Sequence, residues 1–273
     1  MDKRNRGQAP RHVRPQGLEA EPSGFQDRGE EGVIEGRNAI LEALDAGIFL
    51  DKVYIAKGDV DAGLRHLASR AREAGAVVVE TDRRKLDTLS RSHAHQGVVA
   101  LSAVRAYCDV EDILQLAKER GEAPLLVICD EISDSHNLGA IIRTAEASGA
   151  HGIVIPKRRS VGITPIVQKT SAGAVNHLLV SRVPNLTAVI RSLQEAGLWI
   201  YGLSMEGEGD LWTQDLKGPL ALVIGGEGKG LSRLVAEQCD FLVNIPMAGR
   251  VSSLNASVAA ALMLYEAVRQ RRK

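Results

Sequence analysis

Hydrophobic spacing along the first third of the chain alternates between helix-like and strand-like periods. Helical spacing in GRNAILEAL and LRHLASRAREAG alternates with short apolar runs, rich in β-branched residues, in DKVYIA, AVVVE and GVVALSAV. The pattern predicts a small α/β unit over residues 32–107, followed by a helical connector over 108–122.

The rest of the chain, 123–273, repeats this alternation on a larger scale. Its apolar runs are PLLVICD, GIVIP, LLVSRV, WIYGLS, PLALVI and FLVNIP, and a final helix is predicted from Ser253 toward Arg269. Runs that are apolar at nearly every position are typical of parallel strands covered by helices on both faces. The predicted fold class is therefore α/β with a parallel sheet, and ligands of such sheets bind at the carboxyl ends of the strands.

Residues 1–31 have a different composition, with three prolines and little apolar periodicity. Such a segment cannot bury enough surface to offset the entropy of ordering, so we expect a flexible tail. Its first fourteen residues hold five Lys or Arg against a single acidic residue. A tail of this kind either attracts phosphates at low specificity or only aids solubility, and the sequence leaves both readings open.

The whole chain has 34 Lys and Arg against 34 Asp and Glu, and a formal charge of zero argues at first against a protein that coats nucleic acid. Basic residues are nevertheless grouped in the tail, at 83–85, at 157–159 and at 269–273. Together these groups predict a discontinuous track for phosphates. Only 3% of residues are aromatic, so base-stacking platforms are scarce.

Cysteine and histidine usage suggests neither disulfides nor a metal. No Cys-x-x-Cys pair, signal peptide or long apolar run is present, which predicts a cytoplasmic protein with reduced thiols and no membrane role. His93 and His95 lack further ligands nearby, so we expect no metal site. We expect both on the surface of the first unit, where His95 and Gln96 are candidate RNA contacts.

A glycine loop, GGEGKG, directly follows the apolar strand LALVI, at a place where backbone approaches a ligand closely. The dinucleotide fingerprint and the phosphate-loop pattern both fail, because Leu231 stands where glycine, alanine or lysine is required. The loop therefore predicts a nucleotide-like ligand without a phosphate cradle, or simply a turn.

Two further segments, DEISDSHNLGAIIRTAEASG and IPMAGRVSSLNASVAAAL, join a polar strand end to a helix on either side of this loop. In this order, the three segments resemble the signature motifs of the SpoU, or TrmH-type, RNA ribose 2′-O-methyltransferases. GRNAILEAL and HQGVVA resemble, more loosely, the auxiliary substrate domain of the branch that acts on a guanosine of large-subunit (23S) rRNA. The residues that carry the resemblance are Asn137, Arg143, Gly225, Glu227, Ser253, Leu254 and Asn255.

The resemblance implies S-adenosyl-L-methionine as methyl donor, rRNA as partner and a homodimer. It implies a SPOUT-type parallel sheet with a C-terminal trefoil knot, preceded by a small ribosomal-protein-like α/β domain that binds substrate. Strand and helix patterns alone predict an ordinary doubly wound sheet, since true knots are nearly absent from proteins.

The resemblance also assigns site residues, some of which have simpler structural explanations. The implied catalytic residues are Arg143, Asn137, Ser253, Asn255 and Glu227, and the implied cofactor-binding residues are Leu203, Gly225, Ile245 and Leu254. Asn137 and either Ser252 or Ser253 are also good helix N-caps, and Arg143 lies three residues before a potential ion-pair partner, Glu146. Asn255 is disfavoured by helix propensity in an early turn, which suggests a ligand contact. We expect Glu227, beside the glycines, either to contact a partner subunit or to accept hydrogen bonds from amides of the loop.

The leading functional prediction is methyl transfer to the 2′-hydroxyl of an rRNA guanosine. One alternative keeps the chemistry and changes the RNA to tRNA. A second, of another class, is a non-catalytic RNA-binding assembly factor, and a dinucleotide oxidoreductase is disfavoured because its fingerprint is absent.

Overall fold

A computed structural model describes residues 32–58, 61–90, 92, 94–103, 105–228, 230–251 and 253–272. The predicted tail, His93 and Ser252 lie outside the described residues. No helix in the described part is long and apolar enough to cross a membrane.

The first unit is a four-stranded sheet with three helices. Its strands are β1 (Val33–Glu35), β2 (Leu50–Ala56), β3 (Val77–Thr81) and β4 (Val98–Ser102), in the order β1-β4-β2-β3. Only β2 and β3 pair in parallel. The helices are α1 (Arg37–Asp45), α2 (Ala62–Glu73) and α3 (Arg83–Leu89). Asp61 and Asp82 cap α2 and α3 by accepting backbone N–H bonds, which fixes where these helices begin. The sequence pattern did not predict β1, which is only three residues long.

Helix α4 (Val110–Arg120) occupies the segment predicted as a connector. Its Val110 and Ile113 are buried against the larger sheet. The Cβ atom of an alanine at Gly152, on a strand of the second unit, would lie 2.6 Å from Ile113 Cδ1. This strand therefore lies closer to α4 than a side chain at position 152 would allow. Helix α4 therefore packs as part of the second unit and also links the first unit to it.

The second unit confirms the predicted parallel sheet. Its seven strands all pair in parallel, in the order β7-β6-β5-β10-β8-β11-β9. They are β5 (Leu125–Asp130), β6 (Gly152–Pro156), β7 (Leu179–Val183), β8 (Trp199–Leu203), β9 (Gly209–Asp210), β10 (Leu220–Gly225) and β11 (Phe241–Asn244). The connecting helices are α5 (Ser135–Ala147), α6 (Pro165–Thr170), α7 (Leu186–Glu195), α8 (Arg233–Ala236) and α9 (Ala256–Arg271).

Hydrophobic packing on both faces explains why the central strands are apolar at every position. Along β5, Leu125, Val127 and Cys129 face the core under α5 and α9, whereas Leu126 and Ile128 face the core under α4 and α7. Strand order reverses direction between β5 and β10, which places the switch point of the sheet between their carboxyl ends.

A buried polar cluster joins the two units. The Arg182 guanidinium on β7 pairs with the Asp51 carboxylate on β2, and each side chain is only 2% exposed. The Tyr107 hydroxyl donates to the same Asp51 oxygen at 2.7 Å and accepts from the Ile163 backbone N–H at 2.9 Å. Burial, together with the Asp51 charge, raises the pKa of Tyr107 far above its usual range, so this hydroxyl stays protonated.

Candidate functional site

Four adjacent parallel strands end at one edge of the larger sheet and place the predicted site residues there. Gly225, the last residue of β10, is paired with Asp130, the last residue of β5. On the other side of β10, Leu203 ends β8, and Ile245 follows the end of β11. The segments that carry the sequence resemblance therefore meet at the switch point, where parallel sheets bind ligands.

The glycine loop after β10 is a tight turn that leaves no room for a side chain at Gly225 or Gly226. A Cβ atom on Gly225 would lie 2.1 Å from the carbonyl carbon of Gly230, and one on Gly226 would lie 2.7 Å from the Glu131 carbonyl oxygen. The Gly230 N–H donates to the Gly226 carbonyl at 3.0 Å, and the φ of Gly228 is +82°. The loop is therefore a turn, and the nucleotide-like ligand that the sequence predicts beside it stays a prediction at this point.

Three side chains, each from a different motif, form one hydrogen-bonded cluster. Asn137 Nδ2 donates to Glu227 Oε1 at 2.7 Å, and Asn255 Nδ2 donates to Glu227 Oε1 and to Asn137 Oδ1, each at 2.9 Å. Asn137 is buried, whereas Glu227 and Asn255 are exposed. The amide orientations follow from this network, in which one carboxylate oxygen accepts from two amides. We name it the Asn–Glu–Asn cluster.

The helix caps differ from those suggested by the sequence. Asp134, not Asn137, caps α5, since its Oδ1 accepts from the backbone N–H groups of His136 and Asn137 at 2.6 and 3.0 Å. Asn137 thus lies inside the first turn, and its side chain is available for the cluster. Asn255 is itself the cap of α9, which begins at Ala256 and not at Ser253. Its Oδ1 caps the helix while its Nδ2 serves the cluster, so the propensity argument that placed Asn255 inside the helix was wrong.

The other two predicted catalytic residues lie outside this cluster. Arg143 and Ser253 are exposed, and among the hydrogen bonds of the described residues none joins either of them to it. Arg143 also makes no ion pair with Glu146 in the described part of the chain, so its guanidinium is not committed to that neighbour. Both residues stay predictions for catalysis.

The predicted cofactor residues other than Gly225 are apolar and lie at the end of β8, just after β11 and just before α9, and we call Leu203, Ile245 and Leu254 together the apolar shelf. Leu203 and Ile245 are partly buried and pack against the core, while Leu254 is 37% exposed. Adjacent Met205 and Met247 are exposed at 67% and 37%. A neutral, apolar shelf next to a glycine that leaves no side chain in the way suits an adenosine group, which needs shape and apolar contact more than charge.

A cleft of about 250 Å³ lies next to the Asn–Glu–Asn cluster at the switch point. It is lined by Glu131, Ser133, Arg159, Gly226, Glu227 and Gly230. The sequence reasoning did not single out Glu131, although it follows directly on a buried strand end, which is the signal that marks such residues. Beneath the cleft, Asp130 accepts a hydrogen bond from the Ser232 N–H at 2.6 Å, and burial raises the pKa of its carboxyl.

The sequence predicts His95 on the surface, but the structure buries it. It is 8% exposed, its Nδ1 accepts from the Gly97 N–H at 3.0 Å, and its Nε2 lies 3.1 Å from Asp87 Oδ1. The proton is therefore on Nε2, and the ring holds the turn that precedes β4. Within the described residues, no group of three or more His, Cys, Asp or Glu side chains is placed to hold a metal ion.

Family models match both units of the chain. Residues 124–265 match the model described as the SpoU rRNA Methylase family, and residues 33–107 match one described as RNA 2′-O ribose methyltransferase substrate binding. A Bacillus subtilis (strain 168) relative, named Putative TrmH family tRNA/rRNA methyltransferase YacO, is 46% identical over 238 residues, which are 87% of this chain and 95% of the relative. A Staphylococcus haemolyticus relative, also named a putative TrmH family tRNA/rRNA methyltransferase, is 44% identical over 89% of this chain and 97% of its own.

Solved structures are similar to this chain, two of them over most of its length and one over little more than half. The SpoU methyltransferase AviRb from Streptomyces viridochromogenes, in complex with the cofactor AdoMet, is similar with a TM-score of 0.56 and 31% identity, over 89% of this chain and 91% of its own. An AdoMet-bound rRNA methyltransferase from Sinorhizobium meliloti gives a TM-score of 0.57 and 28% identity over 89% of each chain. A TrmH/SpoU tRNA modifying enzyme from A. aeolicus gives 0.50 and 28% over 59% of this chain and 83% of its own.

Proposed function

The chain belongs to the SpoU family of RNA methyltransferases, whose methyl donor is S-adenosylmethionine, and on that premise we propose that it methylates the ribose 2′-hydroxyl of a guanosine in large-subunit (23S) rRNA. One observation carries the proposal. Asn137, Glu227 and Asn255, which are far apart in sequence, meet within hydrogen-bond distance beside an apolar shelf at the strand ends. Such convergence supports a site in which polar groups would surround a reacting hydroxyl and a neutral surface would hold a nucleoside.

Domain coverage favours rRNA over tRNA as the substrate. The similar structures described as rRNA methyltransferases align over 89% of this chain, whereas those described as acting on tRNA align over 59% and 54%. The difference corresponds in size to the first unit, which matches a substrate-binding model. We therefore assign residues 32–107 to RNA binding, 108–122 to the linking helix and 123–273 to methyl transfer.

The residues have distinct roles in the proposed reaction. When bound, S-adenosylmethionine supplies a methyl group already activated by its sulfonium. Leu203, Gly225, Ile245 and Leu254 are proposed to hold its adenosine portion. The ribose oxygen attacks the methyl carbon as the carbon–sulfur bond breaks, and the hydroxyl proton passes to water or to a guanidine perturbed by its surroundings. The chain's task is therefore to align the hydroxyl and to stabilise negative charge on its oxygen.

Arg143 is proposed to provide that stabilisation. A guanidinium holds its proton at neutral pH, so it is a poor base but a good partner for an adjacent phosphate and for a developing alkoxide. Asn137 and Asn255 are proposed to orient the ribose through amide groups fixed by Glu227, and Ser253 is proposed to contact the substrate next to them.

We further propose a homodimer, a C-terminal trefoil knot and a cytoplasmic location. Two apolar side chains on α9 are exposed, Val258 at 47% and Tyr265 at 51%. They support a dimer in which a second copy of the chain covers this face of the helix. The three free cysteines support a reducing compartment. Light scattering of the purified chain tests the dimer, which fails if the mass is that of one chain.

The deciding experiment incubates the full chain with methyl-labelled S-adenosylmethionine and total RNA from cells that lack the gene. Alkaline digestion then leaves uncleaved linkages only at 2′-O-methylated riboses. We expect label at one guanosine of large-subunit rRNA. Label in tRNA alone would overturn the target, label on a base would overturn the chemistry, and no label on any RNA would favour the non-catalytic assembly factor. The Arg143→Lys variant, which keeps the charge but loses the planar fork, should lose single-turnover methylation while still binding S-adenosylmethionine.

A further inference from the structure

We propose that Arg159 binds an RNA phosphate in the cleft beside the Asn–Glu–Asn cluster, and that Glu131 holds its guanidinium in place until RNA exchanges for it. This inference rests on the proposed function, since it names a substrate-binding residue for that reaction. Arg159 lies on the loop after β6, and none of the three motifs includes it.

The first observation is where Arg159 lies. It lines the same cleft as Glu227, and Glu227 belongs to the Asn–Glu–Asn cluster. Among the described residues that line this cleft, the charged ones are two carboxylates, Glu131 and Glu227, and one cation, Arg159. A polyanion that reaches the cluster therefore passes two negative groups, and Arg159 is placed to offset them.

The second observation is backbone geometry on both sides of the ion pair. Glu131 has a φ of +56° and Arg159 a φ of +59°, a region that residues other than glycine seldom adopt. Such conformations persist where the surroundings enforce them, and they are concentrated at ligand-binding sites. Here the two turns are tied together, because the Ser160 hydroxyl and the Val161 N–H both donate to the Ile132 carbonyl, at 2.8 and 3.0 Å.

The third observation connects this loop to the RNA-binding unit. Lys52 Nζ donates to the Ser160 carbonyl at 3.0 Å, and the Tyr107 hydroxyl accepts from the Ile163 N–H. Gly162 approaches Asp51 so closely that a Cβ atom there would clash with the carboxylate. Side chains of the first unit, which is proposed to bind RNA, therefore hold the loop that carries Arg159. The position of Arg159 relative to that unit is fixed by these contacts.

The chemistry of the pair favours exchange. Arg159 Nη1 lies 2.9 Å from Glu131 Oε1, with 78% of the arginine side chain exposed. An exposed pair of this kind contributes little to stability, so it breaks readily when a better partner arrives. A phosphodiester accepts two parallel N–H bonds from a guanidinium, whereas Glu131 accepts one, and binding releases counterions from the RNA.

The test measures RNA affinity, its salt dependence and turnover with large-subunit rRNA transcripts. In Arg159→Asn, asparagine tolerates the left-handed backbone, so the guanidinium is lost without added strain. We expect the KM for RNA to rise about tenfold or more, as loss of a charged hydrogen bond requires. The slope of log affinity against log salt should fall by about 0.7, the value for one phosphate contact on single-stranded RNA. Affinity for S-adenosylmethionine should not change.

Two further variants separate a phosphate contact from a structural role. Glu131→Gln removes both the competitor for Arg159 and a negative charge that repels RNA, so it should lower the KM for RNA more when Arg159 is present than in the Arg159→Asn background. Arg233→Gln breaks an exposed ion pair of the same 2.9 Å length, with 80% of the arginine side chain exposed, and should change neither KM nor slope.

If the wild-type chain methylates RNA but Arg159→Asn has an unchanged KM and salt slope, this inference is overturned and the proposed function is not. A Glu131→Gln effect of equal size with and without Arg159 would also overturn it. If the wild-type chain methylates no RNA, the proposed function fails first.

Discussion

Breaking the buried ion pair between Asp51 and Arg182 should destabilise the protein far more than breaking any exposed pair. Both side chains are 2% exposed, and Arg182 Nη1 also donates to the Asp51 carbonyl at 3.1 Å. Arg182 Nε has no hydrogen-bond partner among the described residues, so this guanidinium depends on its remaining contacts. The pair joins the first unit to the sheet that carries the candidate site.

The magnitude follows from what each substitution leaves behind. Arg182→Met strands a carboxylate beside the Tyr107 hydroxyl, and removing one partner of a buried pair costs about 3–5 kcal/mol. Asp51→Asn keeps the shape but leaves a buried cation without its counterion, which places its cost in the same range. The double variant buries no net charge, so its cost should fall below the sum by about 2–3 kcal/mol.

Urea unfolding followed by two probes provides the measurement. Far-ultraviolet circular dichroism reports on both units, whereas tryptophan fluorescence reports on the second, because the only tryptophans are Trp199 and Trp212. The control is Arg233→Met, which removes an exposed pair and should cost less than about 1 kcal/mol. Single-variant costs that add to within about 0.5 kcal/mol in the double variant would refute the reasoning, because independent sites add in that way.

Three more outcomes follow from the same structure. Asn255→Asp keeps the oxygen that caps α9 but sets a second carboxylate against Glu227, so the melting temperature should drop by several degrees at about pH 8 and recover near pH 4, where carboxylates protonate. Burial lowers the pKa of His151, so the unfolded chain takes up this proton first and stability should fall as pH drops through about 6.5; His151→Asn should flatten that slope in thermal melts. Gly225→Ala should weaken S-adenosylmethionine binding in calorimetry, whereas Gly218→Ala, where a Cβ meets nothing within 4 Å, should not.

Periodicity was enough to predict the layers of this protein. Apolar residues at nearly every position of β5, β6 and β10 require cover on both faces, which only a parallel sheet with helices provides. Short elements escaped the same reasoning, since β1 and the two-residue β9 are held by pairing with neighbours and carry little pattern of their own. Local signals also placed the glycine loop at a strand end.

Helix starts show how one residue's role depends on its neighbours. From sequence, Asn137 and Asn255 were a cap and a helical residue, but Asp134 takes the first capping role and Asn255 takes the second. Several residue types near a helix start have the same capping ability, so sequence alone does not choose among them. The tertiary structure chooses, because only one side chain is in position to reach the free N–H groups.

The sequence by itself determined the elements, the sheet type and the three motifs, since these depend on spacing within the chain. Only the tertiary structure brought Asn137, Glu227 and Asn255 together, buried Asp51 against Arg182 and set Arg159 opposite Glu131. Each of these contacts joins segments between 28 and 131 residues apart. Nothing local encodes such contacts, because strand order decides which strand ends meet and the packing of the two units sets Asp51 against Arg182.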